Sequence, residues 1–543
     1  MSRKRMGVVV DGAYNTGLTV RLDPGFSTED LRIGDFVTLE GQHNTYFSMI
    51  SDIGLHSTSA GLVADPPQSI SPFVAGVLSG VTAYATVQIR PMLMMARHDQ
   101  GTFVEDLTPP ETVRTIPMHF SVLSEASEMD FHAVFGREDA SHFAVGTPLT
   151  METPVCLDLE RLVERSNGIF GQSGTGKSFL VRMLLCGIVK SGLAVNLIFD
   201  MHDEYAFGKQ SEDGHWIKGL RHLFGSQVLI YSLDEAAAVR PGRNADATLK
   251  LGLNQLEPED ILLLAEELNL RATAEPTIGL LQDHYRERWL QKLLDMSPEE
   301  LGGFCESGGA HPATMGALQR NLKRIARRPY VVKQTSFSMI DEMVAALERG
   351  HHVILHFGNH DSTLDHILVA NVVTRRVRQL YRQKAERYEQ TQSPADRPRS
   401  LVITIEEAHK FLNPRVSRQT IFGTIARELR KYHVILMVVD QRPGGIDGEV
   451  LSQLGTRITG KLTEERDIEA ALTGVANRTF LKNALNSLST REEMLITGHA
   501  VPMPIVLRTR RYDEDFYKAI TTGRRAPEAD EKHFEDLFGP RHN

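Results

Sequence analysis

At 543 residues the chain is too long for one ordinary core and points to roughly three or four domains. A hydrophobic share of 41% and a charged share of 24% are those of a soluble globular protein. The net charge of −9 excludes a polycation that coats nucleic acid, but leaves room for a basic channel inside an acidic assembly.

The start, MSRKRMGVVVDG, lacks the apolar core of a signal peptide. The first 150 residues carry short β-like runs: MGVVV, GLTVRL, DFVTLE, TYFSMISDI, AYATVQIRP and TIPMHFSVL. Gly, Pro, Asn and Asp punctuate them closely, as in a small β-barrel or sandwich. From Cys156 onward apolar strands alternate with helical stretches: LAVNLIFD (193–200), QVLIYSL (227–233), HVILHF (352–357), LVITI (401–405) and VILMVVD (434–440). That rhythm predicts an α/β domain whose parallel sheet is covered on both faces. Between 257 and 349 the β signal gives way to a helical pattern, read as an α-helical insertion into that domain. The expected organisation is a barrel over 1–150, an α/β core over 151–256 and 350–511 interrupted by the insertion at 257–349, and a charged tail over 512–543. The cysteines, Cys156, Cys186 and Cys305, stand far apart with no CxxC pairing, which argues against a disulfide framework or a structural zinc site and fits a reducing cytosol. The longest apolar stretches fall far short of the roughly 20 residues a membrane span needs. A soluble, cytoplasmic protein with no membrane partner is expected.

GQSGTGKS at 171–178 has full P-loop spacing, with the apolar NGIF before it and the helix FLVRMLLCGIV after it. Glycines let successive N–H groups turn inward toward phosphates. Lys177 adds a point charge near the β- and γ-phosphates, and the Ser178 hydroxyl can ligate Mg²⁺. The helix N-terminus adds partial positive charge at the same place. Gly171, Gln172, Ser173, Gly174, Thr175, Gly176, Lys177, Ser178 and the following Phe179 form the expected ATP-binding stretch. After the strand LVITI come Glu406 and Glu407, where a buried strand leaves its sheet. Glu406 is assigned to Mg²⁺, through water, and Glu407 to general-base activation of the attacking water. The first of these positions is more often Asp, so Glu406 is a departure from the commoner pattern. VVDQRPGGID places Gln441 at the end of the next strand, either as a γ-phosphate sensor beside Glu407 or as part of a plain turn. The helix IARELRKYH carries Arg427, Arg430 and Lys431, read either as a source of an arginine for a neighbour's site or as a solvated basic face.

Taken together these stretches resemble the HerA family of hexameric DNA-translocating ATPases and helicases, within the HerA–FtsK group of P-loop NTPases. GQSGTGKS, LVITIEEAHKF, IFDMHDEY, IARELRKYHVILMVVDQRPGGIDGEVLSQLGTRITGKL and the β-rich start carry the resemblance. It implies a RecA/FtsK-like core, a homo-hexameric ring with ATP between subunits, and double-stranded DNA threaded through the centre. It also implies that Arg430 acts in trans, that Gln441 is a sensor, and that Arg165, Asp200 and Glu204 lie near the nucleotide. A NurA-like nuclease, or a sirtuin-type or other effector in antiphage defence, would dock on the barrel. A different class of function uses the same residues: an ATP-gated oligomeric scaffold that activates an effector without moving DNA.

Two further features are expected to be structural or backbone-directed. His351, His352, His356 and His360 do not match a zinc spacing. Arg320, Lys323, Arg324, Arg327 and Arg328 share one helix face, which suits a solvated surface or contacts to phosphates without base readout.

Overall fold

A computed structural model describes residues 3–64, 78, 82–97, 109–210, 214–238, 244–308, 310–336, 338–415, 417, 420–489 and 491–522. The chain separates into two compact units. One comprises Met1–Leu162, Phe170–Leu180 and Gly455–Arg511, the other Val163–Ile169, Val181–Leu454 and Tyr512–Asn543.

The first unit opens with β1 (Arg5–Ala13), β2 (Gly17–Leu22), β3 (Phe36–Glu40), β4 (Asn44–Ser57), β5 (Ala83–Ala96), β6 (Glu111–Thr112) and β7 (Val122–Glu125). Their order is β2-β1-β7-β3-β4-β5-β6, and β2 also pairs with β5, so six strands close into a barrel. Alternation sends Val20, Leu39, Ile50, Val87, Ile89 and Leu123 to an inside that excludes solvent entirely. Two register shifts bend the long β4–β5 pair around it. Helix α1 (Glu128–Phe135) follows, opened by a capping box between Ser127 and Asp130. Its Phe131 ring packs on Phe36 at 4.6 Å, and Arg3 ties Asp130 to Glu40 of β3. β8 (His142–Pro148) and β9 (Val155–Asp158) then pair antiparallel.

The second unit holds the α/β core. Its strands are β10 (Asn167–Phe170, whose last residue is counted with the first unit), β11 (Val195–Asp200), β12 (Val228–Ser232), β13 (Ala247–Thr248), β14 (His352–His356), β15 (Leu401–Ile405) and β16 (Val434–Asp440). They are ordered β13-β12-β14-β11-β15-β16-β10, and the pairs from β13 through β16 are parallel. β11, β12, β14, β15 and β16 are buried at every position, as continuous apolar runs in a two-sided sheet must be. The carboxyl ends of these strands carry Asp200, Ser232, His356 and Asp440, so the carboxyl edge of the sheet is where chemistry can sit. NGIF, read from sequence as an apolar lead-in, is strand β10 itself.

Helix α2 (Lys177–Ser191) starts in the first unit and runs on into the second. Between β13 and β14 lie α3 (Ala274–Tyr285), α4 (Trp289–Asp295), α5 (Pro298–Gly308), α6 (Pro312–Ala326) and α7 (Ser338–Arg349). On α6, Arg324 donates to the Glu267 carbonyl while Arg320 and Lys323 face solvent; the helix ends at Ala326, so Arg327, exposed, and Arg328, paired with Asp365, lie beyond the face expected to carry all five. The β14 histidines serve packing: the His352 ring accepts the Asn196 backbone N–H, and His356 lies 3.4 Å from Asp203. α8 (Thr363–Thr391) precedes β15, and α9 (Ile421–Glu428) precedes β16.

The chain then returns to the first unit with β17 (Thr456–Thr459), β18 (Glu493–Gly498) and β19 (Ile505–Thr509), which pair antiparallel in the order β17-β18-β19-β8-β9. Helix α10 (Glu514–Thr521) belongs to the second unit, and the remainder of the charged tail, 523–543, lies outside the described residues. The fold class is therefore α/β, a parallel-sheet core with an N-terminal β-barrel and helices inserted between strands. No helix among the described residues is long and apolar enough to cross a membrane.

Candidate active site

In the first unit, the P-loop leaves β10 and enters α2 at Lys177. Gly171, Gly174 and Gly176 have φ of 149°, 79° and 92°, values that side chains with a Cβ rarely adopt. A Cβ on Gly171 would also meet the Thr175 hydroxyl at 2.8 Å. The loop is pinned from within and from β17's far end: Thr175 donates its hydroxyl to the Gln172 carbonyl at 2.8 Å, and the Gln172 N–H donates to the Lys461 carbonyl at 3.0 Å. Lys177 Nζ donates to the same Gln172 carbonyl at 2.8 Å. Ser178 is half-buried, while Ser173 and Phe179 are exposed.

In the second unit, β11 and β15 are neighbours and deliver Asp200 and Glu406 at their ends. Asp200 is fully buried and accepts three backbone N–H groups, from Glu204 at 2.7 Å, Tyr205 at 3.0 Å and Ala206 at 2.9 Å. Burial raises its pKa despite those bonds. The turn it organises swings Tyr205 inward, and the Tyr205 hydroxyl donates to Glu406 Oε1 at 2.6 Å. Glu204, at the head of that turn, pairs with Arg182 of α2 at 2.9 Å and with Lys209. Resemblance places Asp200 and Glu204 near phosphates; their contacts in this unit are to the turn, to Arg182 and to Lys209.

Glu406 is 7% exposed, and its Oε2 has no hydrogen-bond partner among the described residues. Burial pushes this carboxyl up to about 8, with Asp200, Glu204 and Glu407 adding to the rise and Tyr205 opposing it. An orphaned, buried carboxylate oxygen among other acids fits a hard divalent cation. Among the described residues no group of three or more His, Cys, Asp or Glu could hold a metal unaided. A cation here would take its remaining ligands from phosphate and water, as Mg²⁺ ordinarily does.

Glu407 follows with φ of 48°, a left-handed conformation that strains a non-glycine residue. Its Oε1 accepts Gln441 Nε2 at 3.2 Å. Sequence reasoning places Gln441 beside Glu407, and the β15–β16 pairing brings the two together. Next to them, His409 Nδ1 lies 2.9 Å from Asp440 Oδ2, and the His409 backbone N–H donates to the same oxygen at 2.7 Å. The Asp440 hydrogen bond raises the His409 pKa, burial working against it. Arg165 is exposed in the turn before β10. Arg430 lies in the 3₁₀ turn Leu429–Tyr432, and its side chain is outside the described residues. Tyr205, Arg182, His409 and Asp440 escaped the sequence reading. Tyr205 and His409 lie inside the quoted stretches IFDMHDEY and EEAHKF, and their adjacency to acids was the available signal.

Residues 143–377 match the family model described as the central domain of helicase HerA. The chain is 24% identical over 490 residues to the DNA double-strand break repair helicase HerA of Sulfolobus acidocaldarius, covering 89% of this chain and 90% of that protein. The protein of the same description from Sulfurisphaera tokodaii is 23% identical over 514 residues, covering 94% and 93%. That from Pyrococcus furiosus is 24% identical over 389 residues, covering 67% and 68%. The chain is thus similar to helicases described as HerA along most of its length. Solved structures similar to this chain include VirB4 of Thermoanaerobacter pseudethanolicus, 15% identical, TM-score 0.44, covering 69% of this chain and 98% of that one. The bacterial conjugative coupling protein TrwBdeltaN70 is 12% identical, TM-score 0.43, covering 69% and 89%. The chain is an ATP-dependent P-loop enzyme.

Two substitutions test the cradle around Glu406. Tyr205→Phe removes the one hydrogen bond that the described residues give that carboxylate; hydrogen bonds to charged groups contribute about 1.5–3 kcal/mol. The Mg²⁺ concentration for half-maximal ATP hydrolysis should rise on the order of tenfold, read from a Mg²⁺ titration. Glu406 itself is protonated in the fold and ionised in the unfolded chain between its ordinary 4.5 and about 8. The stability it contributes is therefore complete below that window and lost as pH rises through about 8. In metal-free buffer, Glu406→Gln should melt higher than wild type at pH 9, and the difference should shrink toward pH 5.

Proposed function

We propose that this ATPase belongs to the HerA family and is a translocase or helicase for double-stranded DNA, working as a homo-hexameric ring in the cytoplasm. The observation that carries the hydrolytic half of this reading is the strained Glu407. Backbone strain at a non-glycine position persists only where the surroundings enforce it, and here it presents a carboxylate beside Gln441 at the carboxyl edge of the sheet. Kinship with helicases described as HerA supports the DNA half.

In this reading the P-loop N–H groups and the start of α2 cradle the phosphates of ATP, with Gly171, Gln172, Ser173, Gly174, Thr175 and Gly176 shaping the loop. Phe179 and Arg165 flank the nucleotide. Lys177 exchanges the Gln172 carbonyl for the β- and γ-phosphates. Ser178 and Glu406 would hold Mg²⁺, which would supply positive charge against the phosphates. Glu407 accepts a proton from the attacking water, and Gln441 reports whether a γ-phosphate is present. Asp200 and Glu204 hold the turn that carries Tyr205 to Glu406. Arg430 reaches a neighbouring subunit's site, where it stabilises charge on the transferred phosphoryl group.

The duplex is gripped through its backbone without sequence preference. A partner supplies any cutting or effector activity, a NurA-like nuclease in DNA end processing or a nuclease or sirtuin-type effector in antiphage defence, docked on the β-barrel.

Linear duplex DNA should stimulate steady-state ATP hydrolysis by about an order of magnitude, with the gain falling as salt rises because phosphate contacts are screened. Lys177→Ala, run alongside, should hydrolyse ATP neither with DNA nor without it. Hydrolysis indifferent to DNA at every salt concentration would replace the motor with an ATP-gated scaffold.

A further inference from the structure

Asp440 is the last residue of β16, 1% exposed, and its carboxylate collects three donors. Oδ2 takes the His409 backbone N–H at 2.7 Å and the His409 ring Nδ1 at 2.9 Å, and Oδ1 takes the Arg442 backbone N–H at 2.7 Å. An acceptor-only carboxylate opposite Nδ1 fixes the tautomer, because Nδ1 must carry the proton. The other ring nitrogen, Nε2, faces Glu407 Oε2 at 3.8 Å, longer than a hydrogen bond, and it carries a proton toward that oxygen when the ring is the imidazolium. Glu407 is thus approached on both oxygens, by Gln441 on Oε1 and by His409 on Oε2. Both groups trace to one place, the end of β16, since Gln441 follows Asp440 directly. Lys410 is the one neighbour that disfavours charge on the His409 ring, whereas Asp440 and Glu407 favour it. Contacts in a catalytic site are commonly long until substrate closes them.

We propose that His409, locked by Asp440, is a positioning residue that shares with Gln441 the task of holding the Glu407 carboxylate on the attacking water. This rests on the reading of Glu407 as the base of an ATPase. A bland alternative gives His409 and Asp440 only the task of stapling the segment after β15 to β16.

The two roles separate by substitution in the full-length protein. In His409→Asn the side-chain amide can replace Nδ1 against Asp440, so the staple survives, but nothing from this position reaches Glu407 Oε2. The expected result is unchanged affinity for a fluorescent ATP analogue, unchanged KM, and kcat lowered about tenfold or more. His409→Gln, whose amide nitrogen can reach the Nε2 position, should recover part of that loss. Asp440→Asn should lower kcat as well, and the double variant with His409→Asn should be no worse than the poorer single one, since both act through one carboxylate. Wild-type kcat in His409→Asn, or a loss of ATP affinity that accounts for the whole defect, would overturn the positioning role and leave the ATPase reading standing. A wild-type protein that hydrolyses no ATP would remove both.

Discussion

Carboxylates cannot leave water without partners, and the second unit takes Asp200 and Glu406 out of water at the ends of adjacent strands. The two are resolved differently. Asp200 is satisfied by three backbone N–H groups and becomes a structural pin, whereas Glu406 receives one phenol and keeps a bare oxygen. The local arrangement follows from that asymmetry. The turn pinned by Asp200 places Tyr205, Tyr205 orients Glu406, and the carboxyl oxygen left bare is open to a cation, whose binding would displace the proton that burial otherwise keeps on Glu406. A site that binds ATP with its metal can repay that cost only when substrate is present, which couples occupancy to stability.

The apolar strands make this possible. A sheet buried on both faces offers few polar positions within its strands, so LVITI and VILMVVD concentrate function in the residues at and beyond their ends. Glu407, Gln441, His409 and Asp440 come from two such ends in register, and a rigid parallel pairing holds them. The P-loop solves a different problem with different means. Its glycines adopt backbone angles that free N–H groups to point inward, and its geometry depends on conformation more than on packing.

These differences explain what could be read from the sequence. The P-loop was legible because its requirements are local: three glycines, Lys177 and Ser178 at fixed spacing before a helix. Glu406, Glu407 and Gln441 were legible because each terminates an apolar run. The β-rich start was visible from alternation, but barrel closure was not, since it joins β2 to β5 across a span of more than sixty residues. Tyr205 and Glu406 are separated by 201 residues, and His409 and Asp440 by 31, so no local pattern announces either contact. Asp200 shows the opposite error in emphasis. An acid at a strand end reads as a ligand, yet its oxygens here are engaged by backbone that only the folded turn brings to it.

The account stands or falls on Glu407 as the group that activates water, separate from the machinery that holds nucleotide. The direct measurement is single-turnover hydrolysis of pre-bound ATP by Glu407→Gln, with binding followed in the same samples. The account predicts that ATP is bound with near wild-type affinity and remains intact over many wild-type turnover times. Cleavage of the bound ATP at the wild-type rate would contradict it.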